Sequence, residues 1–465
     1  MSGTALVAGF GVTGRAVARA LLADGERVVA IDDDPAEASV AAAADLGIEL
    51  VSAPGPAELA GLVAGARLVV PSPGVAVHHP IYAAAARTGV PVCSEIELAW
   101  ERLGRRKAPA PLLLAVTGTN GKTTVTTLAR AMLEASQRRA LSAGNIGRPL
   151  IEAVDADTDV IVAEVSSFQL QFTRRFRPAV SCWLNLAEDH LDWHPTMAHY
   201  VAAKARIWAA QGVGDVAVLN RDDAVVMATA GGPGTAVPGE VATRTFSVAD
   251  LGADYRVDPA GTLRGPEGEL AQLRQLPRTL PHDLANALAA SAVALAAGAS
   301  VAGCRAALEG FVGLPHRVEL VAEDAGVRWY DDSKATTPAS VAAAVAGFRS
   351  VVLIAGGRNK GLDLGSLRHT APPVRAVVAI GEAAPAVTAA FAGVVPVVPA
   401  GTMEAAVEAA ARLARPGDAV LLSPGCASFD WYGSYVERGD HFARAVRAHL
   451  RTPGTPVPDD SGGSR

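Results

Sequence analysis

The sequence predicts an α/β protein of three domains built on mostly parallel sheets, and three observations carry that prediction. Short runs rich in Val, Leu, Ile and Ala alternate with Ala-rich stretches of helical character along the whole chain. Each run is followed by turn formers or by chemistry-bearing residues, as expected where ligands gather at the carboxyl ends of strands. The chain has 465 residues, 50% hydrophobic and 19% charged, enough to bury several cores at roughly 150 residues per domain.

The strand-like runs fall at 5–10, 27–32, 67–72, 112–118, 159–165, 179–186, 216–220, 350–357, 376–381 and 419–425. A basic, Pro-containing seam at 104–111 precedes a new strand, and a second seam at 310–317 follows a long Ala-rich helix. These seams place domains at 1–108, 109–313 and 314–465. The segment 228–240 reads as a surface loop, and 452–465 as a disordered tail.

Several classes are excluded. A net charge of −6 argues against a nucleic-acid-coating protein. No apolar run reaches the ~18 residues of a spanning helix, so membrane insertion is not expected. Cys93, Cys182, Cys304 and Cys426 are far apart, without a CxxC pair, which argues against a disulfide framework or a Cys-rich zinc site. The N-terminus lacks a basic leading region and a small-residue cleavage site, so a cytoplasmic protein is expected. Lysine usage is informative: Lys107, Lys122, Lys204, Lys334 and Lys360 stand against 36 arginines. A chain that uses Arg for generic charge keeps Lys where a compact, deprotonatable amine is needed.

Gly9-Phe10-Gly11-Val12-Thr13-Gly14 is a GxGxxG turn between a strand and a helix, with Asp32 ending the next strand. Such glycines let a backbone approach a diphosphate, and the acidic residue can bond a sugar hydroxyl. Alone, the motif suggests a dinucleotide enzyme, a bare turn or another nucleotide site. Thr117-Gly118-Thr119-Asn120-Gly121-Lys122-Thr123-Thr124 is more specific. Its backbone can cradle phosphates, Lys122 can reach the terminal phosphates and Thr123 can meet Mg²⁺, although Val116 stands where the first Gly of a standard phosphate loop belongs. The first and third domains thus read as Rossmann-like, and the central one as a P-loop-type ATPase.

Glu164 in EVSSFQ follows a strand and suits Mg²⁺, or is a solvated strand end. Glu188, Asp189, His190 and Asp192 crowd one loop, a metal site or a plain acidic turn. Lys204 lies on a helical segment, where a lone Lys is usually surface charge. His282 and Asn286 share one helix face, and Arg317 lies at the second seam, where it could cross a cleft to a phosphate. In the third domain 330–337, 355–360 and 423–430 all follow strands, so they can converge.

GTNGKTT, EVSSFQL, EDHLDWH, the Lys204 segment, LPHR, DDSKAT and SPGCASFD occur in this order across almost the whole chain. Together they resemble the Mur ligases, and SSFQL and DSKAT favour the branch that adds D-glutamate. The resemblance implies an ATP-dependent amide-bond ligase, acting through an acyl phosphate on UDP-N-acetylmuramoyl-L-alanine and D-glutamate, as a monomer. It reassigns the GxGxxG turn from a nicotinamide cofactor to a UDP-sugar. By motif match, Val12, Thr13, Asp32 and Asp33 would approach the uridine end, Gly74 would lie nearby, and Asn145 and His190 would meet the sugar substrate. Gly118, Thr119, Asn120, Gly121, Lys122, Thr123 and Thr124 would hold ATP phosphates, with Asn286, Arg317 and Asp332 as further ATP contacts. Thr123 and Glu164 would serve one Mg²⁺, and His190 and Lys204 a second. Lys334, Thr336, Lys360, Ser428 and Tyr435 would surround D-glutamate.

Some positions depart from the family pattern. Gly-x-His-Asn at the adenine-side helix reads here Leu280-Pro281-His282-Asp283, which removes one amide, and Asp331 replaces an Asn. Asp33 and Asp34 stand where relatives often have Thr and a basic residue, so contacts with the uracil would differ in detail. Lys204 is expected to carry a carbamate formed with CO₂. A free ammonium beside Mg²⁺ would add positive charge, whereas a carbamate offers the anionic oxygen that Mg²⁺ prefers. The alternatives are a dehydrogenase, a non-catalytic nucleotide-binding regulator, another Mur ligase, or a folylpolyglutamate synthase-like ligase.

Overall fold

β1 (Thr4–Ala8), β2 (Arg27–Asp32), β3 (Glu49–Ser52) and β4 (Ala66–Pro71) run parallel in the order β3-β2-β1-β4. This first sheet forms around β1 and β4, whose residues are almost all buried. Strand order reverses at β1, which opens a crevice at its carboxyl end. The GxGxxG turn sits there. Gly9 has φ +77°, and a Cβ on Gly14 would lie 2.1 Å from the Gly9 carbonyl oxygen, so this strand–helix junction closes only on glycine.

In this computed structural model, residues 3–106, 109–191 and 193–451 are described. Residue 108 of the first domain boundary, Lys107, Asp192 and the segment 452–465 lie outside them. The second sheet contains β5 (Leu112–Thr117), β6 (Ala140–Gly144), β7 (Val160–Glu164), β8 (Val180–Trp183), β9 (Val216–Asn220), β10 (Ala242–Ser247), β11 (Tyr255–Val257), β12 (Thr262–Gly265) and β13 (Gly268–Gln272). Its order is β13-β12-β11-β10-β9-β8-β5-β7-β6, parallel from β6 to β11 and antiparallel through β11–β13. Residues of β5 and β7 alternate between two cores. Leu114, Val116, Val160 and Val162 enter one, and Leu113, Ala115, Ile161 and Ala163 the other. Val116 pairs with Glu164 and Thr117 with Trp183, so the loops after β5, β7 and β8 leave the sheet at one level.

The third sheet contains β14 (Glu319–Asp324), β15 (Val327–Asp331), β16 (Val351–Gly356), β17 (Val374–Ile380), β18 (Val397–Ala400) and β19 (Ala419–Leu422), in the order β14-β15-β19-β16-β17-β18. All its pairings are parallel except β14 with β15. Residues up to Thr279 with Asp283–Val312 form one compact unit carrying the first two sheets; Leu280–His282 with Gly313 onward form another carrying the third. Inside the first unit the helix Glu95–Arg105 joins the two sheets. Its buried Glu97 accepts from the amides of Arg174, Arg175 and Phe176 at 2.8–3.1 Å, and Glu95 from Ile151 at 2.6 Å.

The expected strand runs are all strands. β3, β6, β10–β13 and β18 were not foreseen, and the helix Ala224–Ala230 reaches into the stretch read as a surface loop. No helix of the described residues is long and apolar enough to cross a membrane. Gly14→Ala is expected to destabilise the first unit by about 1–3 kcal/mol, because the added Cβ meets backbone that cannot yield. A lower urea midpoint followed by circular dichroism is the expected result; an unchanged midpoint would contradict the close packing described here.

Candidate active site

β5 runs into the helix Lys122–Ala135 through a tight loop capped by Gly121 at φ +85°. The loop is held from β8. The Asn185 carboxamide oxygen accepts from the amides of Thr119 (3.1 Å) and Asn120 (2.9 Å), and its nitrogen donates to the Asn120 carbonyl (3.1 Å). Lys122 curls over this frame, its Nζ donating to the carbonyls of Gly118 (2.8 Å) and Thr119 (2.9 Å). Asn286, on the helix Pro281–Ala296, reaches the same loop, since a Cβ on Gly121 would fall 2.5 Å from its Oδ1.

A second lysine arrives from the helix Met197–Ala205. Lys204 is 1% exposed, and its Nζ lies 2.9 Å from the Gly118 carbonyl oxygen and 3.4 Å from Thr117 Oγ1. The Tyr200 ring lies beneath it at 4.8 Å, and the Tyr200 hydroxyl is 3.2 Å from Thr119 Oγ1. Burial, reinforced by the nearby charge of Lys122, holds the Lys204 amine well below the ordinary lysine range, against the opposing pull of Asp189 and Glu164. This amine is therefore buried and inclined to be neutral, unlike a surface lysine.

Glu164 ends β7 beside the loop. Its Oε1 accepts from Asn145 Nδ2 at 2.9 Å, while the buried Oε2 has no hydrogen-bond partner. A buried carboxylate oxygen left open at a phosphate loop suits a hard divalent cation, and Glu164 could hold Mg²⁺ there. His190 sits in the loop after β8 with φ +55°, its Nε2 3.3 Å from Asp189 Oδ2 and its ring 4.7 Å from that of Phe168. The group His316, Glu319 and Asp331 brings ligand atoms within 4.8 Å, but its bonds are structural: His316 Nδ1 is 2.7 Å from Asp331 Oδ2, and Glu319 accepts from the His316 amide.

A cavity of about 920 Å³ opens at the carboxyl end of β1, and Val12, Thr13, Asp32, Asp33, Gly74 and Asn145 all line it. His190 is not part of that lining. Asp32 also braces the GxGxxG turn, accepting from the Phe10 amide (2.6 Å) and the Asp34 amide (3.1 Å). Asp33 lies 3.3 Å from His79 Nε2.

In the second unit, three loops follow β15, β16 and β19. Asp332 is buried and accepts from Ser423 Oγ at 2.7 Å; burial pushes its carboxyl up to about 7, with the Arg317 charge opposing. Lys334 Nζ lies 3.9 Å from the centroid of the Tyr435 ring. Ser428 is buried, Thr336 is half-buried, and the exposed Lys360 points over Phe429 at 5.8 Å. Arg438, not singled out in the sequence, ties these loops together. It is 1% exposed and donates to Ser333 Oγ (2.9 Å), the Ser333 carbonyl (2.8 Å) and the carbonyls of Cys426 and Ala427 (3.2 Å). Asn185 and Tyr200 were likewise missed as functional groups. The only available signal was polar side chains next to EDH and Lys204.

A phosphate loop with a buried lysine and an open carboxylate on the second of three mostly parallel sheets points to a nucleotide-dependent ligase. Family models agree: "Mur ligase MurD-like, N-terminal domain" matches residues 3–94, "Mur ligase middle domain" 116–294, and "Mur ligase, glutamate ligase domain" 316–426. The chain belongs to the Mur ligase family. Among its relatives, UDP-N-acetylmuramoylalanine--D-glutamate ligase of Frankia casuarinae is 45% identical over 95% of this chain and 93% of its own, and that of Thermobifida fusca is 41% identical over 95% and 97%. Solved structures share the fold at lower identity. MurF from Acinetobacter baumannii has a TM-score of 0.60 at 19% identity, covering 96% of this chain and 91% of its own. UDP-N-acetylmuramate-alanine ligase from Thermotoga maritima has a TM-score of 0.56 at 18% identity, covering 97% and 100%.

Asn185→Ala removes three hydrogen bonds that shape the phosphate loop, each worth about 1 kcal/mol. It is expected to weaken binding of a non-hydrolysable ATP analogue by about tenfold or more, measured by calorimetry, with the circular dichroism spectrum unchanged. Unaltered affinity would show that the loop holds its shape without this clamp.

Proposed function

We propose that this chain joins the amine of D-glutamate to the L-alanine carboxyl of UDP-N-acetylmuramoyl-L-alanine, converting ATP to ADP and phosphate in peptidoglycan precursor synthesis. The observation that carries the reading is the meeting of Lys122, Lys204 and the open Glu164 oxygen at the Gly118 turn. A dehydrogenase offers no reason for such a cluster.

Water makes amide formation unfavourable because oxide is a poor leaving group. The reading resolves this in two steps. The substrate carboxylate attacks the γ-phosphoryl group, giving an acyl phosphate and ADP. The amine of D-glutamate then attacks the acyl carbonyl, the C–N bond forms, and phosphate departs with the C–O bond. Lys122 leaves its loop carbonyls to meet phosphate charge, and the amides framed by Asn185 receive phosphate oxygens. Thr123 with Glu164, and His190 with Lys204, are the residues that would hold two Mg²⁺ ions, which when bound would neutralise charge on the transferring phosphoryl group.

Within this reading the domains are 1–108 for the UDP-sugar, 109–313 for ATP and 314–465 for the amino acid. The cavity of about 920 Å³ takes the UDP-sugar. Asn145 links it to Glu164, so one amide borders both the sugar cavity and the cation ligand. Asn286, Arg317 and Asp332 contact ATP. Lys334, Thr336, Lys360, Ser428 and Tyr435 surround D-glutamate, with Arg438 fixing the loops that carry them.

Lys204 carries a carbamate in this reading. Its neutral amine attacks CO₂, an N–C bond forms and one proton is released, leaving an anionic oxygen ligand. Burial supports this chemistry by favouring the unprotonated amine.

Phosphate release is expected only when both the UDP-sugar and D-glutamate accompany ATP; release with ATP alone would contradict the ligase reading. Lys334→Ala should raise the KM for D-glutamate about tenfold or more, with a much smaller change for ATP. Equal effects on both KM values would move the glutamate site elsewhere. Lys204→Arg should lose nearly all activity although charge is retained, and Lys204→Ala should regain part of it with added acetate. A fully active Lys204→Arg enzyme would exclude the carbamate.

A further inference from the structure

A second cavity lies away from the chemistry above. The larger cavity opens at the carboxyl end of β1, whereas this one, of about 280 Å³, sits at the amino ends of β2 and β4. Its walls come from the first sheet on one side and from Ile151, Phe172, Arg174 and Arg175 on the other, all inside one compact unit. The buried Leu21, Leu68, Leu98 and Ile151 give it an apolar lining.

Its charges do not cancel. Five arginines and four carboxylates line it. Two pairs close on themselves: Arg67 bonds Glu26, and Arg102 lies 2.5 Å from Asp24. Glu97 commits both oxygens to the amides of Arg174, Arg175 and Phe176. Arg105, Arg174 and Arg175 are left with Glu101, which lies 3.3 Å from Arg105 and 3.9 Å from Arg175. The exposed Arg174 side chain has no ion-pair or hydrogen-bond partner among the described residues, and the buried Arg102 Nε has no acceptor. A guanidinium presents a fork of donors that matches carboxylate and phosphate oxygens. Unpartnered donors beside an apolar lining suit an organic anion. A cation would have only Glu101 to meet, and two arginines already share it.

The cavity also touches a wall of the larger one. Phe172 lines it and stacks on Tyr82, with centroids 5.3 Å apart and planes within 5° of parallel. Tyr82 Oη donates to the Val75 carbonyl at 3.1 Å, and Val75 lines the larger cavity.

We propose that this cavity is an effector site for a small organic anion, a phosphate ester or carboxylate on an apolar body, whose occupant alters binding in the larger cavity through Phe172, Tyr82 and Val75. The coupling rests on the UDP-sugar reading of the larger cavity; the anion site does not. Coupling between two ligands is reciprocal, so each changes the other's affinity by the same factor.

The probes are phenyl phosphate and phenylacetate, titrated into the full chain by calorimetry. At least one should bind with a Kd of about 1 mM or below, and the tighter of the two names the charged group. Inorganic phosphate and acetate, which lack the ring, should bind about tenfold more weakly, and benzylamine, with its charge reversed, not measurably. Arg174→Glu changes an exposed side chain and should weaken the tighter anion about tenfold or more, with an unchanged circular dichroism spectrum. Failure of both anions to bind, or undiminished binding to Arg174→Glu, would overturn the site. Equal binding of the ringless anions would overturn the amphipathic class of ligand. With the anion saturating, the affinity for UDP-N-acetylmuramoyl-L-alanine should change about fivefold or more. Tyr82→Phe, which removes only the bond to Val75, should reduce that change while the anion still binds. An unchanged affinity, or an undiminished change in Tyr82→Phe, would overturn the coupling. A chain that binds the anion but never the UDP-sugar would retain the anion site and overturn the UDP-sugar reading.

Discussion

Excess positive charge at one carbonyl oxygen is the constraint on which the site depends. Lys122 from the phosphate loop and Lys204 from a distant helix both donate to Gly118. Two ammonium groups so close repel each other, and Lys204 is also cut off from water. The arrangement is tolerable if one amine gives up its proton and the other is available to meet incoming anions. An ATP-dependent ligase needs such a cation for the phosphates, and a neutral second amine leaves the buried pocket without a competing charge. The same geometry therefore suits the enzyme before and after its substrate arrives.

The framework delivers these groups through register. Val116 is level with Glu164, and Thr117 with Trp183, so the loop, the carboxylate and the Asn185 clamp leave adjacent strands together. Asn145 extends the arrangement to the sugar cavity by bonding Glu164 from the loop after β6. In the third sheet Arg438 does for the loops what Asn185 does for the phosphate turn. It satisfies four oxygen atoms where these loops meet, alongside the Arg358–Ala427 bridge and the backbone bond from the Gly425 amide to the Ala335 carbonyl.

Much of this was legible in the sequence because its chemistry is local. GTNGKTT shapes its own backbone, and buried parallel strands declare themselves as unbroken apolar runs. β3 and β18 are short edge strands of middling burial, and β11–β13 form a polar meander, so neither carried a clear pattern. Asn185 and Arg438 were missed because their partners lie far away in sequence, at Asn120 and Ser333. Asp32 was read only as a ligand contact. Its carboxylate also braces the turn, a role visible only once Phe10 and Asp34 are placed around it.

The place of β19 bears on how the chain can be made. It inserts between β15 and β16, so the middle of the third sheet is the last of its strands to be synthesised. Until residues 419–422 leave the ribosome, β15 and β16 expose facing edges, and Trp329, Val352 and Ile354 lack the strand that completes their sheet. Open parallel edges are slow to close and prone to pair with other chains. A message cut short before this strand would yield an adhesive fragment instead of a smaller working enzyme, and nascent chains at this stage are the natural clients of a chaperone.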